Sequence, residues 1–220
     1  MTSVKICGLS TRDTLDAALD AGADYVGFVF FAPSPRNLSL AIARELATRV
    51  EGRAKKVALT VDANDAAIDA IVAAIAPDAL QLHGSETPDR VAALRARTGR
   101  DVWKAIGVSA HSDVSRAKNY AQAADKILFD AKPPRDAILP GGNGAVFDWT
   151  LLGDAAERPA TWMLSGGLDP TNVAQALRIT RAPAVDVSSG VERAPGVKDA
   201  DLIRDFIAAV RGVPSAGRSR

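Results

Sequence analysis

Residues 55–84 read KKVALTVDANDAAIDAIVAAIAPDALQLHG. Two short apolar runs, residues 55–61 and 78–83, flank a segment whose apolar residues recur with the period of a helix. Asn64 comes immediately before this helical segment and is a candidate N-cap. A strand, a helix and a second strand in this order are typical of a parallel sheet. The stretch therefore predicts one βαβ unit.

The same alternation runs through the whole chain and gives eight predicted strands. These strands are SVKIC (3–7), DYVGFVF (24–30), KKVALTV (55–61), DALQLH (78–83), DVWKAIG (101–107), DKILFD (125–130), TWMLSG (161–166) and AVDVSS (184–189). Helical patterns follow almost every strand, with Asp199 as the candidate cap of the last one.

Eight βα units are typical of a closed (β/α)8 TIM barrel, and an open doubly wound sheet is the alternative. The first βα turn, CGLSTRD, lacks the G-x-G-x-x-G pattern of dinucleotide-binding open sheets. The sequence therefore predicts an α/β fold, a single-domain barrel over residues 1–211. Residues 212–220, GVPSAGRSR, have almost nothing to bury and are predicted to form a flexible tail.

The charge of the chain is balanced, with 27 basic and 26 acidic residues over 220 positions and no long blocks of one sign. This balance argues against nucleic acid or an anionic membrane as a partner, so we expect a small molecule. One cysteine and no long apolar segment near the N-terminus lead us to expect a cytoplasmic protein. The sequence leaves monomer and homodimer open.

The active site of such barrels lies at the carboxyl-terminal ends of the strands, and the last two strands usually hold a phosphate. Here they end in SGGLDPTNV and DVSSGVE. Glycine lets the backbone approach a ligand, and free N–H groups of a following helix attract an anion. A lone glycine more often serves only a tight turn, but two Ser/Gly clusters on adjacent strands favour phosphate binding. The candidate residues are Gly166, Gly167, Ser188, Ser189 and Gly190.

Two further strand ends carry candidates for acid–base chemistry. Asp130 ends the apolar run KILF and precedes a long loop rich in Gly and Pro, so it is either a capping group or a site acid. Cys7 ends the first strand; a free cysteine is often only a small buried hydrophobe. Near a phosphate site and helix dipoles, however, we expect its pKa to fall from about 8.5 toward neutrality.

Arg36 and His83 complete the set of candidate residues. Arg36 follows two prolines that stiffen its loop, and a guanidinium held in this way suits the binding of a carboxylate, although a surface arginine is equally compatible. His83 ends LQLH and is expected to line the site or to orient a neighbour through a hydrogen bond. The two histidines of the chain do not share a metal-ligand spacing with its carboxylates, so we predict no metal.

Taken together, these stretches resemble the phosphoribosylanthranilate isomerase family, a group of barrel enzymes in tryptophan biosynthesis. The matching segments are KICGL, GADYVGFVF with SPR, LQLHG, LFD, GGNGAVFDW, SGGL with NV, and VDVSSGVE with PGVKD. They run in order from residue 5 to residue 199, which covers nearly the whole predicted domain.

The resemblance implies an aldose–ketose isomerase that performs an Amadori rearrangement on a phosphosugar without a cofactor. It places the general base on Cys7, the general acid on Asp130, the binding of the anthranilate carboxylate on Arg36, and phosphate binding on the two Ser/Gly turns. This sequence departs from the family pattern at Asn143, where threonine is frequent, and at Ser165, where alanine is frequent. The alternatives are another phosphosugar barrel enzyme or a non-catalytic barrel that binds a phosphorylated ligand.

Overall fold

The computed structural model describes residues 1–132, 139–142, 144, 146–154 and 158–214. Its centre is a closed barrel of eight parallel strands, each hydrogen-bonded to the next, with the last strand pairing with the first. The strands are β1 (Ser3–Cys7), β2 (Tyr25–Phe30), β3 (Lys55–Thr60), β4 (Ala79–Leu82), β5 (Asp101–Val108), β6 (Lys126–Ala131), β7 (Trp162–Leu164) and β8 (Ala184–Val187). The predicted barrel is confirmed.

Seven α-helices surround the barrel in the described part of the chain. They are α1 (Arg12–Asp20), α2 (Leu40–Val50), α3 (Asp65–Ile75), α4 (Pro88–Thr98), α5 (His111–Ser115), α6 (Val173–Thr180) and α7 (Ala200–Arg211). The two predicted caps are confirmed, because Asn64 accepts a hydrogen bond from Ala67 N and Asp199 accepts from the backbone N–H of residues 201 and 202.

The alternation of strands and helices is irregular in two places. Between β6 and β7, the described residues contain a 3₁₀ turn, Trp149–Leu152, and no α-helix. After β8 the chain forms a 3₁₀ turn, Ser189–Val191, and a small antiparallel hairpin of β9 (Glu192–Ala194) and β10 (Val197–Lys198) before α7 begins. The 3₁₀ turn Trp149–Leu152 packs against α5 and α6, whereas Ser189, in the segment after β8, lines the cavity at the carboxyl-terminal ends of the strands.

The interior of the barrel divides into two ends. Toward the amino-terminal ends of the strands it is filled by a compact apolar cluster that includes Val57, Trp103, Leu128 and Met163. Toward the carboxyl-terminal ends, buried polar side chains such as Lys5 and Asp186 replace the apolar ones. The interior of the barrel is therefore filled by apolar side chains at one end and carries buried polar groups at the other, as expected for this fold.

Helix α7 ends at Arg211, the last residue of the predicted domain. Residues 215–220 of the predicted tail lie outside the described residues, so the flexibility of the tail stays a prediction. A search of the described residues for a helix long and apolar enough to cross a bilayer finds none.

Candidate active site

A cavity opens at the carboxyl-terminal ends of the strands and contains about 760 Å³ of empty space, part of it open to solvent. Side chains and loops from β1, β2, β3, β4, β6, β7 and β8 contribute to its wall. Eight of the nine predicted site residues line it, namely Cys7, Arg36, His83, Asp130, Gly166, Gly167, Ser188 and Ser189. Gly190, the ninth, does not line it.

Cys7 lies above a buried ion pair. The Lys5 ammonium is 2.8 Å from Asp186 Oδ1, and Ser165 Oγ donates to Asp186 Oδ2 at 3.2 Å. The Lys5 ammonium also lies near the Cys7 thiol on the same face of β1, and its charge acts on the thiol. Gly27 on β2 makes this contact possible, because a Cβ there would lie 3.0 Å from Cys7 Sγ and 3.1 Å from Lys5 Nζ. The thiol therefore has a permanent cation as its neighbour.

The predicted fall in the pKa of Cys7 is wrong in direction. Burial raises the pKa of the thiol above its ordinary value, because the interior disfavours a thiolate. The Lys5 and Lys198 ammonium groups oppose this shift, whereas the carboxylate of Asp186 adds to it. The prediction relied on helix dipoles and a phosphate site, whereas the alternative noted for a free cysteine, a small buried side chain, describes a residue that is only 3% exposed.

Asp130 and His83 form a pair across the cavity wall. His83 Nε2 lies 3.0 Å from Asp130 Oδ2, and His83 Nδ1 lies 3.1 Å from Gln81 Nε2. The other carboxylate oxygen, Oδ1, accepts the N–H of Ala131 at 2.9 Å. His83 thus orients a neighbour through a hydrogen bond, as the sequence analysis expected, and the neighbour is the candidate acid.

The loop after β6 covers this pair with a glycine. A Cβ on Gly141 would lie 2.6 Å from His83 Nε2 and 2.7 Å from Asp130 Oδ2, so only glycine fits at this approach. The next residue, Gly142, accepts a hydrogen bond from Arg36 Nη2 at 3.3 Å through its carbonyl. The GGNG segment therefore connects the acid candidate to the arginine. Asn143, the departure from the family pattern, lies outside the described residues.

Arg36 is buried and held along one edge. Its Nε and Nη2 donate to the two carboxylate oxygens of Glu192 at 2.7 and 2.8 Å. Among the described residues, Nη1 has no hydrogen-bond acceptor, and Arg36 lines the cavity. Arg36 is thus a fixed interior cation and not a solvated surface residue.

Glu192 links this arginine to Lys198. The Lys198 ammonium donates to Glu192 Oε1 at 2.6 Å and to the Ser188 carbonyl at 3.0 Å. Burial alone would raise the pKa of Glu192, but hydrogen bonds and charges from Arg36 and Lys198 outweigh it and hold this pKa below its ordinary value. One carboxylate therefore anchors both the arginine and the Ser188 turn.

The two Ser/Gly turns lie side by side on the cavity wall. Gly166 and Gly167 have φ of +88° and +61°, a conformation that favours glycine. Gly190 serves a different purpose from theirs, because a Cβ there would lie 1.8 Å from the Leu168 carbonyl oxygen. Its missing side chain lets the β8 turn pack against the β7 turn.

Of the polar site residues that were not among the sequence candidates, Lys5, Gln81 and Asp186 lie within the barrel strands, whereas Glu192 and Lys198 follow the last of them. The three strand residues share one feature. Each lies two residues before a candidate on the same strand or strand end, because Lys5 precedes Cys7, Gln81 precedes His83 and Asp186 precedes Ser188. Side chains two apart on a strand share a face. A polar residue at that spacing inside an apolar run was the signal that the sequence contained.

The whole chain was also compared with known proteins. Residues 4–209 match the family model described as N-(5'phosphoribosyl)anthranilate (PRA) isomerase. The N-(5'-phosphoribosyl)anthranilate isomerase of Rhodopseudomonas palustris (strain HaA2) is 60% identical over 208 residues, 94% of this chain and 95% of that protein.

Two solved structures share the fold over most of their length. Monomers generated from a dimeric phosphoribosylanthranilate isomerase of Thermotoga maritima give a TM-score of 0.83 at 37% identity, covering 96% of this chain and 100% of theirs. A phosphoribosyl anthranilate isomerase in complex with reduced 1-(o-carboxyphenylamino)-1-deoxyribulose 5-phosphate gives a TM-score of 0.84 at 36% identity over the same shares.

Proposed function

We propose roles for the site residues from one premise: the chain belongs to the N-(5'-phosphoribosyl)anthranilate isomerase family and is an isomerase. The reaction is the Amadori rearrangement of N-(5-phosphoribosyl)anthranilate to 1-(2-carboxyphenylamino)-1-deoxyribulose 5-phosphate. It needs a proton on the furanose ring oxygen, which opens the ring to an imine, and then removal of the proton from the adjacent carbon. The resulting enolamine tautomerises to the ketone.

Asp130 is the proposed general acid. It lines the cavity at the end of β6, is 5% exposed, and is fixed by His83 on one oxygen and by the Ala131 N–H on the other. A positioned carboxylic acid can deliver the proton that opens the ring. The single observation that carries the proposal is that Asp130 and Cys7 line one cavity at the carboxyl end of the barrel.

Cys7 is the proposed general base. The reaction transfers no acyl or phosphoryl group, so the thiol has no use as a covalent nucleophile here. The Lys5 ammonium beside the sulfur favours the thiolate, while burial disfavours it. We therefore expect the ionisation of Cys7 to set the acid limb of the pH profile, at a higher pH than an ordinary thiol would give.

The proposed substrate contacts use the rest of the wall. Arg36 presents Nη1 to the anthranilate carboxylate while Glu192 fixes the opposite edge of its guanidinium. Gly166, Gly167, Ser188 and Ser189 receive the phosphate on their two neighbouring turns. Gly190 supports this site by letting the turns pack together. Inorganic sulfate should then compete with substrate, and replacing Gly167 with a bulky residue should raise KM.

The test of the chemistry is to assay Cys7→Ala and Asp130→Asn by the fluorescence of the anthranilate group. We expect kcat to fall by about 10²- to 10⁴-fold in each while KM changes little, because a proton-transfer group acts mainly in the transition state. Asp205→Asn, on the exposed face of α7, is the matched control. If either site variant keeps more than about a tenth of the activity, its assigned role is wrong.

We also propose that the enzyme works in the cytoplasm as a monomer or homodimer. Cys7, its single cysteine, is a free buried thiol, which suits a reducing compartment. The Thermotoga maritima relative is described as dimeric. Sedimentation equilibrium over a range of concentrations decides between the two oligomeric states, and a trimer or larger assembly would refute both.

A further inference from the structure

Gln81 lies beneath the His83–Asp130 pair and takes no part in the roles assigned above. It is completely buried on β4, on the same strand face as His83. Its amide nitrogen lies 3.1 Å from His83 Nδ1, on the opposite side of the ring from Asp130. Its amide oxygen, Oε1, is buried and has no hydrogen-bond partner among the described residues.

The amide nitrogen determines which ring nitrogen of His83 carries the proton. An NH₂ group only donates, so Nδ1 opposite it must accept, and the proton of the neutral ring must be on Nε2. Nε2–H then donates to Asp130, which meets it as a carboxylate. In this arrangement the Gln81 amide donates to His83 Nδ1 and His83 Nε2–H donates to Asp130, so each of the two hydrogen bonds has one donor and one acceptor.

The amide oxygen, Oε1, can accept a hydrogen bond from His83 if the amide takes the opposite orientation. Rotating the amide by half a turn exchanges two atoms of nearly equal size and brings Oε1 opposite Nδ1. Nδ1 must then carry the proton and donate it, which leaves Nε2 as an acceptor. Asp130 can satisfy that acceptor only as a carboxylic acid, the form in which it could give a proton to a substrate. This arrangement holds one proton more than the first, and the proton is taken up from water in the open cavity.

We propose that Gln81 is a positioning residue whose amide sets the tautomer of His83 and so decides whether Asp130 meets the ring as a carboxylate or as an acid. The inference about catalysis rests on the proposed function of Asp130. The inference about the tautomer stands on the contacts alone. An amide suits this place because it can serve either tautomer, whereas an alkyl chain serves neither and a carboxylate serves only Nδ1–H.

The test reads the tautomer directly by NMR on protein labelled with ¹⁵N in its histidine rings. The chain has two histidines, and His111 is exposed on α5, so His111→Gln assigns both rings. We expect His83 in the parent protein, above the pH at which Asp130 ionises, to show Nε2 protonated and Nδ1 as an acceptor. Gln81→Met should lose this preference, and Gln81→Glu should move the proton to Nδ1 or charge the ring.

Steady-state kinetics give the second measurement. Gln81→Met should lower kcat by about 3- to 10-fold, the loss expected when one hydrogen bond is removed, while KM changes less than about twofold. The limb of the pH profile that follows Asp130 should shift in Gln81→Met, and Gln81→Glu should shift it by a different amount. Gln122→Met, on an exposed residue, is the matched control.

Failure of this inference and failure of the proposed function give different results. If Gln81→Met leaves both the His83 ring shifts and the pH profile equal to those of Gln122→Met, Gln81 only fills space and the inference is wrong. If Asp130→Asn stays active, the role of Asp130 is wrong, yet the ring shifts of Gln81→Met still report whether Gln81 sets the tautomer. A Gln81→Met protein that unfolds is replaced by Gln81→Glu, whose ring shifts must differ from those of the parent.

Discussion

Two lysines inside the same barrel have opposite pKa shifts. Lys5, on β1, is completely buried, and burial favours its neutral form, but Asp186 and Cys7 together outweigh this and raise the pKa of the ammonium. Lys126, at the start of β6, is only half-buried, yet burial and the nearby Lys55 lower its pKa to about 8. From burial alone we would expect the pKa of Lys5 to be lower than that of Lys126.

The difference lies in what each ammonium contacts. Lys5 has the Asp186 carboxylate at 2.8 Å, whereas Lys126 lies over the faces of Tyr25 and Trp103, 4.6 and 4.2 Å from the ring centroids. A ring face attracts a cation through its quadrupole but supplies no full charge to offset lost hydration. The carboxylate partner thus keeps Lys5 charged, whereas Lys126, at the amino-terminal end of the barrel, loses its proton more easily than an ordinary lysine.

The largest expected effect comes from breaking the Lys5 pair. Among the described residues, Lys5→Met leaves Asp186, 4% exposed, with only the Ser165 hydroxyl as a side-chain partner. Removing one member of a buried ion pair typically costs about 3–5 kcal/mol, and we expect the urea midpoint to fall accordingly. Loss of the ammonium also removes a charge that lowers the pKa of Cys7, so iodoacetamide should alkylate the thiol more slowly at a given pH.

The double variant Lys5→Met with Asp186→Asn is the control for this experiment. It leaves no unpaired charge in the interior, so it should recover most of the lost stability without restoring the rate of alkylation. If the free energy of unfolding of Lys5→Met lies within about 1 kcal/mol of that of the parent protein, the ion pair contributes little to stability. The contact with Asp186 would then not distinguish Lys5 from Lys126 in stability.

The next effect concerns Arg36, a cation that has a carboxylate partner and still has a donor left for a ligand. Arg36→Met should lower kcat/KM by about 10- to 150-fold, mainly through KM, because it removes charge-assisted hydrogen bonds of roughly 1.5 to 3 kcal/mol. Folding should survive, since Lys198 and the Gly196 N–H still bind Glu192. Arg36→Lys should rescue the loss only in part.

A substrate that lacks the ortho carboxylate sharpens this test. It should react poorly with the parent enzyme and be nearly indifferent to Arg36→Met, with Arg178→Met on the exposed side of α6 as the matched control. If the two losses multiply instead, Arg36 does not bind the carboxylate and its role is structural.

The parts of this molecule that follow from local pattern were predictable. Each apolar run with its turn residues predicts one strand, and the observed strands differ from the predicted ones by a residue or two at their ends. The predicted run 161–166 ends early, at Leu164, because Gly166 already adopts a positive φ in the turn. The carboxyl ends of the strands then place Cys7, His83 and Asp130 in one cavity.

The parts that depend on distant partners were not predictable from pattern. Nothing near Arg36 in the sequence indicates Glu192, which is 156 residues away, and nothing near Asp130 indicates that Gly141 lies against it. The predicted direction of the Cys7 pKa shift failed for the same reason, since the shift is the balance of burial and the Asp186 carboxylate against the Lys5 and Lys198 ammonium groups. Such a balance of distant contacts has no signature in a local sequence motif.

The smallest effect, and the most direct test of the contrast between the lysines, is the pH dependence of Lys126→Met. The pKa of Lys126 is about 8 in the folded protein against an ordinary value of 10.5. Below about pH 8 the lysine is charged in both the folded and unfolded states, so the stability difference between parent and variant should not change with pH. Between these two values the unfolded state binds a proton that the folded state lacks, and stability rises with pH.

The parent protein should therefore gain stability relative to Lys126→Met as the pH increases from 8 to 10.5. Urea unfolding at half-unit steps of pH measures this, with Arg44→Met at an exposed position of α2 as the control that should show no such trend. Activity should stay within about twofold of the parent, because Lys126 lies at the end of the barrel opposite the cavity. If the stability difference between parent and variant does not change with pH over the whole range, the Tyr25 and Trp103 rings stabilise the ammonium as well as water does, and the pKa of Lys126 is not lowered. A falling difference would mean that they raise its pKa, as Asp186 does for Lys5, and the two ends of the barrel would then treat a cation alike.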